Sequence, residues 1–108
     1  MEINISGQNI EITDALRSYV EERFSKISRH FDGIMKSSVI LQVEKLRHQA
    51  DAKILTKGSP IHANATAGSM YDAIDMLASR LNRQVLKYKD KGHNHHQAGG
   101  ALKDQPLQ

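Results

Sequence analysis

The stretch from Ser69 to Lys91, SMYDAIDMLASRLNRQVLKYKDK, constrains the fold more than any other part of the chain. At about 100° per residue, Met70, Ile74, Leu77, Leu81, Val85 and Tyr88 fall on one apolar stripe, the pattern of a helix lying flat on a core. Arg80, Arg83, Lys87 and Lys91 make a second stripe within roughly 80°, and its centre lies only about 115° from the first. The basic row therefore flanks the buried face instead of opposing it. From Arg80 to Lys91 five cations stand against the single acid Asp90, a local +4 in a chain whose formal total is +3. A concentrated basic patch on a near-neutral body suits a polyanion. Taken alone, the wheel equally fits a solvated face whose late cations complement the helix C-terminus, with Asp72 and Asp75 complementing its start.

The rest of the chain supplies what such a helix needs to cover. Glu2 to Ser6 alternates as a short strand, punctuated by Gly7-Gln8-Asn9. Thr13 is placed to cap a helix and Asp14 to complement its dipole. Leu16, Val20, Phe24, Ile27 and Phe31 then recur at helical spacing, and Asp32-Gly33 ends the run. Beside that face Tyr19, Arg23, Lys26 and His30 form a stripe of roughly 60°, so both helices pair a core face with a cationic shoulder. The two shoulders are expected side by side, as one broad basic surface.

Ser37 to Leu46 reads as the strongest strand, with Val39, Leu41 and Val43 inward. A second strand runs from about Gln49 to Thr56, with Ala50, Ala52 and Ile54 on one side. Lys57-Gly58-Ser59-Pro60 is a hairpin turn, and Ile61 to Ala67 alternates Ile61, Ala63, Ala65 and Ala67 against polar residues. Alanines there leave room for a helix to pack closely. Gly68 breaks the strand and Ser69 caps the last helix. The order β-α-β-β-β-α predicts an α+β, two-layer domain over residues 1–91. Both helices cover one face of a four-stranded mixed sheet whose first two strands are parallel. Residues 92–108 are polar and glycine-rich and are expected as a flexible tail.

The same residues exclude several functions. Cysteine is absent, which removes disulfides, thiolate metal sites and a cysteine nucleophile. No apolar run approaches the roughly 20 residues of a membrane span, and the start has no basic region followed by an apolar core. The expectation is a cytoplasmic protein that engages no membrane. No phosphate-cradling glycine loop, serine elbow or metalloprotease helix is present, so no enzyme is expected. No cofactor or metal is expected either. His93, His95 and His96 stand in a glycine-rich stretch that offers nothing to orient them as ligands.

Four segments carry a family resemblance: EITDALRSYVEERFSKISRHFD (11–32), VILQVEKLRHQADAKI (39–54), IHANA (61–65) and MYDAIDMLASRLNRQVLKYKDK (70–91). Together they closely resemble the short bacterial ribosome hibernation promoting factors, of the ribosome-associated inhibitor and protein Y family. The resemblance spans residues 1 to 91. It implies a fold similar to a double-stranded RNA-binding domain, and binding to the small ribosomal subunit and its rRNA in the channel where messenger and transfer RNA decode. It also implies inhibition of translation in stationary or stressed cells, and inactive ribosome dimers formed with the ribosome modulation factor. The free protein is expected as a monomer. Residues matching the family's rRNA-facing pattern are Arg23 and Lys26 on the first helix and Arg80, Arg83, Lys87 and Lys91 on the second. Arg17 matches too but points about 100° from Leu16, away from the shoulder. Tyr71, off the apolar stripe, is a candidate for stacking on bases. The tail is longer than that of a minimal short factor yet lacks the acidic ending of protein Y, so inactivation of single ribosomes stands as an alternative to dimer promotion. A generic double-stranded RNA-binding module and a protein-interaction domain using the open sheet are the other readings.

Overall fold

Six elements follow in the expected order in the computed structural model, which describes residues 3–30 and 33–93 and the side chains of 3–29 and 33–87. They are β1 (Ile3–Gln8), α1 (Asp14–His30), β2 (Ile34–Glu44), β3 (Arg47–Thr56), β4 (Ile61–Ala67) and α2 (Met70–His93). The sheet order is β1-β2-β3-β4, with β1 parallel to β2 and the other pairs antiparallel. The parallel pair follows from the α1 crossover, and the antiparallel pairs from two short connections.

Register sorts the two faces. Ile5, Val39, Ala52 and Ala63 form one row across the sheet, and Ile3, Ser37, Ile54 and Ile61 form the next. These residues face the helices and, β1 apart, are buried. The opposite face carries rows such as Asn4, Ser38, Lys53 and His62, and stays polar except for half-exposed Ile40 and Leu55. Leu16, Val20, Phe24 and Ile27 of α1 and Met70, Ile74, Leu77, Leu81 and Val85 of α2 close the core. Phe31 and Tyr88, expected on those stripes, lie outside the described side chains.

Both helices begin where the sequence places their caps. Thr13 Oγ1 accepts the amide of Leu16 at 3.2 Å, and Ser69 Oγ accepts that of Asp72 at 3.2 Å. Each cap satisfies an otherwise orphaned helix donor, worth about 1 kcal/mol. The turn at 57–60 is held by Thr56 Oγ1, which accepts the Gly58 amide at 3.0 Å and donates to Ser59 O at 2.9 Å.

Boundaries differ from the periodic reading, with β2 beginning at Ile34 instead of Ser37 and further shifts at β1, the β2–β3 turn and the end of α2. β1 runs on through Gly7 and Gln8, and the chain turns at Asn9 with φ 61°. Gly7 is there for close approach, since a Cβ would stand 2.5 Å from the Ile10 carbonyl oxygen. The β2–β3 turn is Lys45-Leu46, with Lys45 at φ 57°. Neither turn residue is Gly, Asn or Asp, so nothing in the sequence marked a hairpin there. α2 continues to His93 instead of stopping at Lys91, because a single Gly near a helix end costs only about 1 kcal/mol. The expected tail from residue 94, with His95 and His96, lies outside the described residues.

Candidate nucleic-acid interface

Because α1 follows β1 and α2 follows β4, both helices run back across the sheet in the same direction. Arg80 meets Asn64 while Gln84 meets His62, so α2 runs antiparallel to β4. Basic side chains therefore gather toward one end of the helical layer: Lys26 and Arg29 on α1, Arg83 and Lys87 on α2. Among the described residues none of these four has a carboxylate partner, and the ion pairs involve Arg23 alone. Unpaired surface cations keep their full charge for a ligand, which is what phosphate contact requires.

Arg23 is placed differently from the expected shoulder. Its Nε donates to Asp75 Oδ1 at 2.8 Å, its Nη2 to the Tyr19 hydroxyl at 2.8 Å, and its Nη1 reaches Glu22 Oε1 at 3.4 Å. The Tyr19 hydroxyl in turn donates to the Asp75 carboxylate, with oxygens at 2.8 and 2.9 Å. The guanidinium carbon also sits 4.2 Å from the centre of the Tyr19 ring. This cluster ties α1 to α2. Asp75 is thus an interhelical acceptor and not simply a dipole-complementing acid near the helix start. Burial pushes its carboxyl up, but the hydrogen bonds from Arg23 and Tyr19 outweigh that and hold it below its usual range. The bond to Asp75 raises the Tyr19 phenol and holds the Arg23 guanidinium more firmly protonated.

Arg80 is also committed. Its Nη1 donates to Asn64 O at 2.7 Å, and Gln84 Nε2 donates to His62 O at 2.9 Å. Two side chains one turn apart on α2 thereby cap alternate carbonyls of β4, an edge strand. Arg80 and Asp75 leave α2 about 140° apart, so Arg80 lies over β4 while Asp75 faces α1. The expected single surface is therefore two rows separated by the crest of α2. Lys26 stands on the α1 side, Arg80 and Lys87 on the β4 side, and Arg83 between them. Lys91 lies outside the described side chains. Sequence reasoning passed over Arg29, exposed and without an acid partner among the described residues, because it sits off the α1 stripe. It also missed Lys53 on the open sheet face, where alternation marked it only as outward. Among the described residues no group of three or more His, Cys, Asp or Glu side chains could hold a metal ion. No helix among them is long and apolar enough to cross a membrane.

Residues 3–93 match the family described as Sigma 54 modulation protein / S30EA ribosomal protein. The chain is 48% identical over 91 residues to a ribosome hibernation promoting factor of Azotobacter vinelandii, covering 84% of this chain and 85% of that one. It is 46% identical over 95 residues to the corresponding factor of Escherichia coli K12, covering 88% of this chain and all of that one. Among solved structures, a ribosomal subunit interface protein from Coxiella burnetii superposes with a TM-score of 0.80 at 35% identity, over 84% of this chain and 100% of that one. The Thermus thermophilus protein Y N-terminal domain gives 0.77 at 31% identity, over 82% and 99%. A two-layer β-α-β-β-β-α domain with these relatives, matched along nearly its whole described length, belongs to the Sigma 54 modulation protein / S30EA ribosomal protein family.

Proposed function

We propose that this protein binds the small ribosomal subunit through the helical layer, in the channel where messenger and transfer RNA decode, and so holds ribosomes inactive. The observation that carries the reading is the set of cations without acid partners among the described residues, Lys26, Arg29, Arg83 and Lys87, on a rigid two-helix layer. The names of its relatives, hibernation promoting factors and a subunit interface protein, support the same reading. Phosphate contacts supply the affinity, and the helices recognise the shape of folded rRNA more than base identity. Binding without chemistry is enough for this role, and it takes place wherever the ribosomes are, in the cytoplasm. Lys87 and Arg83 make direct contacts, joined by Lys91 further along α2. Arg80 contributes from its place on the β4 edge, and Arg23 chiefly sets the spacing of the helices.

Reversing Arg83 and Lys87 to Glu removes four units of charge from the C-terminal half of α2 and leaves every described core residue in place. Co-sedimentation with small subunits is expected to fall at least about tenfold, as the loss of two phosphate contacts requires. Unchanged co-sedimentation would remove this surface from the proposal. Ribosome dimers, formed with the ribosome modulation factor, are the expected end state. Likeness to the protein Y domain favours a second reading, inactivation of single ribosomes. Sucrose gradients of stationary cells separate the two. Deletion abolishes the dimer peak in the first case and enlarges it in the second.

A further inference from the structure

The N-terminal halves of α1 and α2 enclose a cluster that the phosphate-binding surface does not use. The rings of Tyr19 and Tyr71 lie 4.8 Å apart and nearly perpendicular, at 88°. Tyr19 is fully engaged: its hydroxyl bonds Asp75, and the Arg23 guanidinium covers its ring. Tyr71 is not, since it is 43% exposed and makes no described hydrogen bond. Its inner side is fixed against a neighbour that these polar contacts immobilise, so the exposed part of the ring is held in a set position. A ring ordered before binding loses little freedom when a ligand stacks on it.

The local charge selects what that ligand is. Asp75 is offset by Arg23, and the exposed carboxylate of Asp72 stands next to Tyr71 in sequence. Such a spot repels phosphate and accepts a neutral aromatic face. Arg83 lies about 18 Å further along the axis at about 1.5 Å per residue, a span of a few nucleotides of single strand. We infer that Tyr71 is a stacking platform for an unpaired base of the RNA whose phosphates the C-terminal halves of the helices hold. The inference rests on the ribosome-binding reading above. It adds a subsite for single-stranded RNA to a surface otherwise built for phosphates. Tyr19, Asp75 and Arg23 position the platform without touching the base.

The test is equilibrium binding of the full chain to purified small subunits across a salt series. Tyr71→Leu keeps apolar bulk against Tyr19 but has no π face. It is expected to weaken binding by about 5- to 100-fold, the effect of one lost base stack, with the salt slope unchanged because no phosphate contact is lost. Tyr71→Trp is expected to restore the affinity lost in the Leu variant. Because the chain has no other tryptophan, the fluorescence of the introduced indole should quench when subunits bind. Wild-type affinity in Tyr71→Leu, or indole emission unchanged on binding in Tyr71→Trp, overturns the platform. The ribosome reading stays intact in that case if the Arg83→Glu, Lys87→Glu double variant still binds at least about tenfold more weakly. A salt slope that falls together with the affinity also overturns the platform, since the effect is then electrostatic. Failure of the wild-type chain to bind subunits overturns both. Should Tyr71→Leu melt early, the quenching in Tyr71→Trp decides alone.

Discussion

Asp75 shows how much one side chain's neighbours change its role. On a helical wheel it is an acid near a helix start, yet across the groove it meets both Tyr19 and Arg23. Those hydrogen bonds overcome the upward push of burial and bring its carboxyl below the ordinary value of 3.8. With the folded value below the unfolded one, the unfolded chain binds more protons between the two, so stability falls as pH drops through that window. Above 3.8 the contribution is fully present. Asp75→Asn is expected to lower the neutral melting temperature slightly, because exposed pairs stabilise little, and to flatten the acid decline. Melting curves between about pH 6 and pH 2.5 check this. An acid limb identical to wild type would show that the pair does not act in the folded state. At the other end of the scale, Tyr19 has a raised phenol, so its contribution is present below its usual value of 10 and is lost as pH rises beyond it.

At the scale of elements, the close approach of α2 to the sheet depends on small residues beneath it. Ala50, Ala52, Ala63 and Ala65 are buried in β3 and β4, facing a helix whose own contact residues include Ala73 as well as Leu77 and Leu81. Large on one side and small on the other lets the layers interdigitate at native density. Ala65→Leu adds three carbons at a position 1% exposed, and overpacking of this kind costs about 1–3 kcal/mol. Urea unfolding should show a midpoint lowered accordingly with the m-value unchanged. The elements themselves were legible: helical spacing, the caps at Thr13 and Ser69 and the turn at 57–60 all stand where the residues put them. The β2–β3 turn was not, because Lys45 adopts a left-handed φ that no turn residue announces. Its geometry is imposed by pairing from Ser37 to Glu44 against Arg47 to Ile54, which closes the hairpin regardless of turn propensity.

For the molecule as a whole, charge placement matters more than total charge. A net +3 is too small to drive strong association by itself. If on the order of six phosphates are neutralised, the logarithm of the binding constant should fall with that of salt with a slope of about −4 to −5. Removing one of those contacts by Lys87→Ala should make the slope shallower by about 0.7 to 0.9, whereas Arg23→Ala, which breaks an internal pair, should change affinity with little change in slope. Filter or sedimentation binding from low to physiological salt measures both. Equal slope changes for the two variants would mean that Arg23 contacts phosphate directly.

Layer order, strand order and the parallel first pair were determined by the sequence alone. Each depends on short-range periodicity, capping and connection length, and these are local properties that a chain carries with it. The family relationship was legible for the same reason. What only the tertiary structure decided is which cations remain free. Arg23 and Lys87 look alike on their wheels, yet one is drawn into an ion pair between helices and the other is exposed with no acid partner among the described residues. Arg80 gives one donor to an edge-strand carbonyl that is distant in sequence and adjacent in space. A charge's partners are set by three-dimensional distance, and neither wheel of a helix pair records what stands across the groove from it.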